Sequence, residues 1–266
     1  MIRRLLTAAV LVALLLGALG APNPWLFAGL LGLLLVAGAW EWPGLARLPQ
    51  PGVRAAYVLA VAALAWWART RWWDPAHFER LLYVVLAFWV LMLAWLLLAP
   101  RRGARALVLL AGIGALVPAW LSLARVAGTW PRGAGWTLLI LALPVAMDTG
   151  GYFAGRAFGR HKLAPDVSPG KTWEGVFGGM ALVALLAWAT AGWAGAALRL
   201  YLPLCLGVAA FSVVGDLTES MFKRAAGLKD SGSLFPGHGG ALDRVDSITA
   251  AAPLMTLGLI WLGAGA

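Results

Sequence analysis

The sequence has one cysteine, Cys205, in 266 residues, so it forms no internal disulfide and leaves its redox compartment open. Charge is also scarce. Only 12% of the residues are charged and 62% are apolar, whereas a soluble domain is about one quarter charged and near half apolar. No basic soluble domain stands apart from the apolar segments. The net charge of +10 therefore does not point to nucleic acid, because the basic residues sit in short loops between apolar runs, where cations report topology and attraction to anionic lipid. There is no internal repeat, no low-complexity linker and no long alternating pattern of the kind that marks β-strands. Of three histidines, His238 has no second histidine at ligand spacing, which argues against zinc.

Long apolar runs fill the chain instead. They cover residues 5–21, 25–40, 53–68, 81–99, 106–124, 136–154, 173–193, 200–215 and 245–263. Crossing about 30 Å of hydrocarbon takes roughly 20 residues at 1.5 Å each. The pattern predicts an all-α polytopic integral membrane protein of about nine transmembrane helices, with the second and third short enough to be tilted or partly re-entrant. Arg3, Arg4, the first apolar run and a small-residue tail also fit a signal peptide. A second apolar run only three residues later favours a helical hairpin in the bilayer. The expected division is residues 1–130 as about five N-terminal spans and residues 131–266 as a catalytic region with polar loops at 155–172 and 216–247.

Loop charge orients this layout. With the N-terminus cytoplasmic, fifteen of the 21 Lys and Arg fall on the cytoplasmic side and six on the other. That bias obeys the positive-inside rule. It places both polar loops in the cytoplasm, where nucleotides are, and a bacterial inner membrane fits the pattern.

Three features carry the chemistry. The first is Asp148, two-thirds along the sixth run. An acid at the centre of a bilayer helix costs about 2.5–3.5 kcal/mol on insertion scales, so it faces a partner or a wet cavity. Gly151, Gly155 and Gly159 follow at four-residue spacing and suit close helix packing. The second is the segment from Arg156 to Glu174, with Ser168-Pro169-Gly170-Lys171-Thr172-Trp173-Glu174. Ser followed by Pro predicts an N-cap and first helical position, with free N–H groups and Lys171 facing an anion.

The third is residues 216–247, which hold five acids, four Lys or Arg and His238 between two apolar runs. Asp216, Glu219 and Lys223 are spaced i, i+3 and i+7, one face of a helix that runs on from the eighth apolar segment to about Ala225. Glu219 and Lys223 suit an i, i+4 pair. Gly227, Gly232, Pro236, Gly237, Gly239 and Gly240 then make a tight loop around His238, which suits a hydrogen bond to phosphate or acid/base work. Asp243 and Asp246 follow at the head of the last run. Carboxylates gathered beside Lys and Arg suit metal-assisted phosphoryl-type transfer: hard oxygens hold Mg²⁺, and cations neutralise developing charge.

The stretch from Ser220 through Lys223-Arg224, Lys229-Asp230, Gly232, Phe235-Pro236-Gly237-His238-Gly239-Gly240 and Asp243-Arg244 to Asp246 resembles the signature of the phosphatidate cytidylyltransferase (CDP-diacylglycerol synthase) family. The segments from Asp148 to Tyr152 and from Ser168 to Glu174 are similar to that family too. Two positions depart from it: Gly170 stands where the family usually has a second Lys, and Ala241 where it has a larger aliphatic.

The resemblance implies CMP transfer from CTP to phosphatidate, giving CDP-diacylglycerol and pyrophosphate, and a possible homodimer. It implies Mg²⁺ held by acids matching Asp216 and Asp243, with K⁺ as a candidate second ion. Lys223, Arg224, Lys229 and Arg244, with His238, Gly239 and Gly240, would hold the nucleotide phosphates. Lys171 and Ser168 would serve the lipid phosphate or the shared reaction centre, and Asp148, Glu174 and Asp246 would support the metal. A related lipid-phosphate cytidylyltransferase is one alternative. A transporter is the alternative from another class, since it too uses intramembrane acids and broken helices. The motif of CDP-alcohol phosphotransferases is absent.

Overall fold

The structure is a computed structural model that describes residues 13–21, 23–100, 103–232, 234 and 239–264. Among these, α1 covers residues 13–20. It is followed by α2 (Pro24–Leu45), α3 (Pro51–Arg71), α4 (Pro75–Leu98), α5 (Arg105–Thr129) and α6 (Gly133–Phe158). A hairpin of β1 (Lys162–Ala164) and β2 (Ser168–Thr172) leads into α7 (Trp173–Ala194), α8 (Leu198–Ala226) and α9 (Leu242–Trp261). Local chemistry sets several of the starts. Proline is the first residue of α2, α3 and α4, where its fixed φ fits and its missing N–H costs nothing. The Asn23 side chain caps Trp25 N–H at 3.0 Å, and Asp74 caps Ala76 N–H at 3.0 Å.

Among the described residues seven helices, α2 through α8, are long and apolar enough to cross a bilayer and one small hairpin is present, and the protein is an all-α polytopic membrane protein. Large apolar side chains such as Leu59, Leu97 and Trp188 face outward, as expected where the surroundings are hydrocarbon. Helix α9 lies inside the bundle against α4, α5, α6 and α8. Its middle is small or flexible, and Ala250, Ala251, Ala252 and Met255 are fully buried. Charges in its first turns, Asp243, Arg244 and Asp246, keep it outside the seven most apolar spans.

Several expectations need correcting. The second and third spans are full-length helices of 22 and 21 residues; Glu41 ends the second apolar run and Arg69 the third without ending the helix. Ser168-Pro169 does not start a helix. Ser168 pairs with Ala164 in the antiparallel hairpin, and the helix starts four residues on, with Thr172 Oγ1 accepting from Gly175 N–H at 3.2 Å. The polar loop 155–172 is thus the end of α6 plus a hairpin. The expected extension of the eighth helix to about Ala225 holds: α8 ends at Ala226 and α9 begins at Leu242, so within the polar segment 216–247 the connection between helices is residues 227–241. Most of the first span and residues 235–238, His238 among them, lie outside the described residues.

Glycine lets α6 and α7 touch backbone to backbone. A Cβ on Gly150 would sit 2.5 Å from Gly178 O, and one on Gly179 would sit 2.5 Å from Met147 O. Gly150→Val should therefore force apart the helices that carry Asp148 and lead out of the Lys171 hairpin. The expected cost is about 1–3 kcal/mol, typical of overpacking. Thermal unfolding in detergent reads it, and an unchanged midpoint would show that the contact is slack.

Candidate active site

Two buried links hold the polar end of the bundle together. The first joins α8 to α9. Asp216, Glu219 and Lys223 share one face of α8, as their spacing predicts. Lys223 Nζ lies 3.1 Å from Glu219 Oε1 and 2.6 Å from Asp243 Oδ1. Lys223 and Glu219 are both buried, so each needs its partner: removing one member of a buried pair costs about 3–5 kcal/mol. The helices close on each other one residue before Asp216, where a Cβ on Gly215 would stand 2.6 Å from Asp246 O.

The second link comes from the N-terminal half of the chain. Glu41 on α2 is buried, with both carboxylate oxygens in use. Oε1 accepts from Ala241 N–H at 3.0 Å, and Oε2 accepts from Leu242 N–H at 3.0 Å and Ser231 Oγ at 2.9 Å. An anion at the start of α9 satisfies N–H groups that the helix cannot and complements its dipole. Gly232 and Gly240 lie so close to Glu41 that a Cβ on either would stand 2.2–2.3 Å from a carboxylate oxygen. The glycines of the loop are therefore partly a fit to Glu41. Sequence reading missed this residue. The only signal was a lone acid inside an apolar run, the same signal that singled out Asp148.

Asp243 works with Glu41 on the same loop. Its Oδ2 accepts from Ser231 N–H (3.0 Å), Ser231 Oγ (3.0 Å) and Gly240 N–H (2.8 Å). Burial opposes ionisation of Asp243, but Lys223 and the two N–H donors outweigh it and hold the carboxyl below its ordinary range. Gly239 has φ +83°, the left-handed conformation that turns the chain back onto Asp243.

Asp216 stands apart and is more open. Its Oδ2 lies 2.5 Å from Lys171 Nζ, which β2 carries across from the hairpin, and its Oδ1 accepts from Ser220 Oγ at 3.2 Å. Both Lys171 and Asp216 keep over a fifth of their side-chain surface exposed. Asp148 lies within electrostatic reach of Lys171 and Asp216, and Asp246 within reach of Asp216, Lys171 and Lys223. A cavity of about 230 Å³ opens here, lined by Asp148, Tyr152, Lys171 and Thr172 among others.

The remaining candidates brace this arrangement or lie at its edge. Arg224 donates to Val167 O and Leu228 O, at 3.3 Å each, tying the hairpin to the loop after α8. Glu174 takes its contacts from His161: Nδ1 at 2.7 Å and the backbone N–H at 3.2 Å from each oxygen. Ser168 is half-buried in β2, while Lys229 and Arg244 are exposed.

The cytidylyltransferase family profile matches residues 2–261. The chain belongs to the cytidylyltransferase family. It is 41% identical to the phosphatidate cytidylyltransferase of Pseudomonas aeruginosa over 97% of this chain and 96% of that one. It is 38% identical to that of Haemophilus influenzae over 96% of each. A chloroplastic relative from Arabidopsis thaliana, phosphatidate cytidylyltransferase 5, is 43% identical over 55% of this chain and 36% of its own.

A divalent metal can be tested against these cytidylyltransferase residues. Among the described residues no three His, Cys, Asp or Glu side chains form a ready-made cage. Mg²⁺ does not need one, since it is commonly bound by one or two carboxylates plus substrate phosphates. Asp216, partly exposed and with Asp148 and Asp246 near it, fits that pattern. Asp243 fits less openly: Oδ2 already has three donors, and Lys223 sits on Oδ1.

Proposed function

We propose that the protein is a phosphatidate cytidylyltransferase that makes CDP-diacylglycerol and pyrophosphate from CTP and phosphatidate. Family membership supports the reaction. The observation that carries the site is the Asp216–Lys171 pair, set beside Asp148 and Asp246 where four elements meet at one end of a membrane bundle. A phosphate oxygen of phosphatidate attacks the α-phosphorus of CTP, a new P–O bond forms, and the bond to the β-phosphate breaks to release pyrophosphate. The attacking group is already an anion near neutral pH, so no side-chain nucleophile is required. The protein's task is positioning and charge neutralisation.

Residue roles follow from exposure. Lys171 is open to the cavity and serves the reacting phosphates at the shared centre, with Ser168 on the same strand. Lys223 is enclosed by Glu219 and Asp243, so it sets the register of the loop instead of holding nucleotide. Arg224, Lys229 and Arg244, with Gly239 and Gly240, border the nucleotide phosphates, and the family resemblance alone adds His238. Glu174 fixes the hairpin through His161. Asp216, with Asp148 or Asp246, would hold Mg²⁺, and Asp243 would join if Lys223 moved from Oδ1. When bound, the ion neutralises phosphate oxygens and steadies the leaving pyrophosphate.

The proposed orientation puts the N-terminus and the active site in the cytoplasm of a bacterial inner membrane. Loop charge supports it, and the alternation of the helices sets which ends share a side. Arg47, just after α2, donates to Ala225 O near the end of α8. At the other end, Arg132 donates to Trp193 O at 2.6 Å and Trp261 Nε1 to Tyr83 Oη at 3.0 Å.

The test uses purified protein in detergent with phosphatidate and radiolabelled CTP, with and without Mg²⁺, and with K⁺ varied. Label is expected to enter the organic phase only with Mg²⁺. Folded protein that transfers no label to phosphatidate, but does to an isoprenoid phosphate, would replace the lipid assignment.

A further inference from the structure

Helices α2 and α3 enclose a cavity of about 1210 Å³ that no step above uses. Its polar end holds Arg47, Arg54 and the loop residues Asp230, Ser231 and Gly232. Its walls then run along α2 from Gly44 to Leu33, about 16 Å at 1.5 Å per residue, with Val58 and Leu59 of α3 opposite. Leu33 and Leu59 are 68% and 70% exposed, so this end opens sideways into hydrocarbon.

The polar end holds two arginines and two acids, Glu41 and Asp230, and the group left open to a ligand is Arg54. Arg54 Nε is buried and has no hydrogen-bond partner. The Arg54 guanidinium lies 5.9 Å from the ring centre of Trp40, which also lines the cavity. The acids at this end make their contacts elsewhere or face outward. Both oxygens of Glu41 are taken by Ala241, Leu242 and Ser231, and Asp230 is exposed. An arginine with an unsatisfied buried donor suits an anion, and planar guanidinium groups suit phosphate. The apolar walls suit a ligand with long alkyl chains; a nucleotide has nothing to place against them.

We infer that this groove is the docking site of the lipid substrate, with the terminal phosphate of a glycerolipid on Arg54 and Arg47 and an acyl chain along α2 and α3. This rests on the reading that the protein acts on phosphatidate. Ser231 makes the position sensible. It lines the groove and donates to Asp243, so the residue that borders the docked phosphate also touches the acid cluster.

The experiment introduces Ala55→Cys, an exposed position at the polar end of the groove, into a Cys205→Ala background, so that one thiol reports the groove alone. Its maleimide labelling rate is measured in micelles with phosphatidate, with phosphatidylcholine of the same chains, or with CTP. Phosphatidate alone should slow labelling, and Arg54→Gln should remove that protection. In steady-state assays Arg54→Gln should raise KM for phosphatidate about tenfold, as for one lost charge-assisted contact, while KM for CTP stays within about twofold. Equal protection by phosphatidylcholine would mean an ordinary lipid seam, and protection by CTP a nucleotide site; either overturns the inference. So does turnover with no protection. Protection by phosphatidate without CMP transfer would uphold the groove and sink the cytidylyltransferase reading, which keeps the two failures distinct.

Discussion

Asp216→Asn should lower kcat by about 10²–10³-fold, the range seen when one charge-stabilising group is removed from an active site, and leave the fold intact. The reason is exposure. The pair with Lys171 is partly open, and such a pair contributes about 0–1 kcal/mol, or at most ~2–4 °C in a chain of this size. Asn keeps the shape and the bond to Ser220 but loses the charge that Lys171 or a bound cation would meet. Asp243→Asn should lose at least as much turnover for a different reason. Its carboxylate is a strut with four donors on it, and an amide would turn an N–H₂ against either Lys223 or the Ser231 and Gly240 N–H groups. Here the thermal midpoint should fall as well, by the amount expected for breaking a buried pair at about 3–5 kcal/mol. Turnover and unfolding measured side by side separate the two roles. If Asp216→Asn unfolds the protein while Asp243→Asn does not, the assignment of reactive acid and structural acid is reversed.

That division was only half visible in the sequence, for physical reasons. The Glu219–Lys223 pair was legible because helix geometry fixes what lies four residues away. The close packing of Gly151 and Gly155 on α7 was legible because small residues at that spacing have few other uses in a bilayer helix. The start of α7 was misread because Ser168-Pro169 satisfies the local rule for an N-cap, yet pairing of β2 with β1 overrides local preference. The lengths of α2 and α3 were underestimated for a related reason. Averaged hydropathy ends the second run before Glu41, which faces a loop instead of lipid, and the third before Arg69 and Arg71. Contacts spanning 190 to 201 residues, such as those of Glu41 with Ser231, Ala241 and Leu242, leave no trace in any short window.

Glu41 is accordingly the residue whose removal tests whether the N-terminal helices belong to the active site. Glu41→Ala would strip the acceptors from two buried backbone N–H groups, while the Ser231 hydroxyl keeps Asp243 Oδ2. Each donor left unpaired costs about 1–3 kcal/mol, and loss of the cap on α9 falls in the range of about 0.5–2 kcal/mol. Ser231 and the start of α9 would lose their tether, and Asp243 with them. Turnover should drop about a hundredfold, in line with misplacement of reacting groups by roughly 1 Å. Glu41→Gln should recover part of both activity and midpoint, because one oxygen still accepts while the new N–H₂ opposes its donors. Ser231→Ala alone should be mild, and added to Glu41→Ala it should cost less than in the wild-type background. Side chains in one hydrogen-bond network show such coupling, about 0.5–3 kcal/mol. A role confined to helix stability predicts otherwise: the midpoint would fall with kcat unchanged at a temperature where every variant is folded. That result would remove Glu41 from the site and leave it as a helix cap.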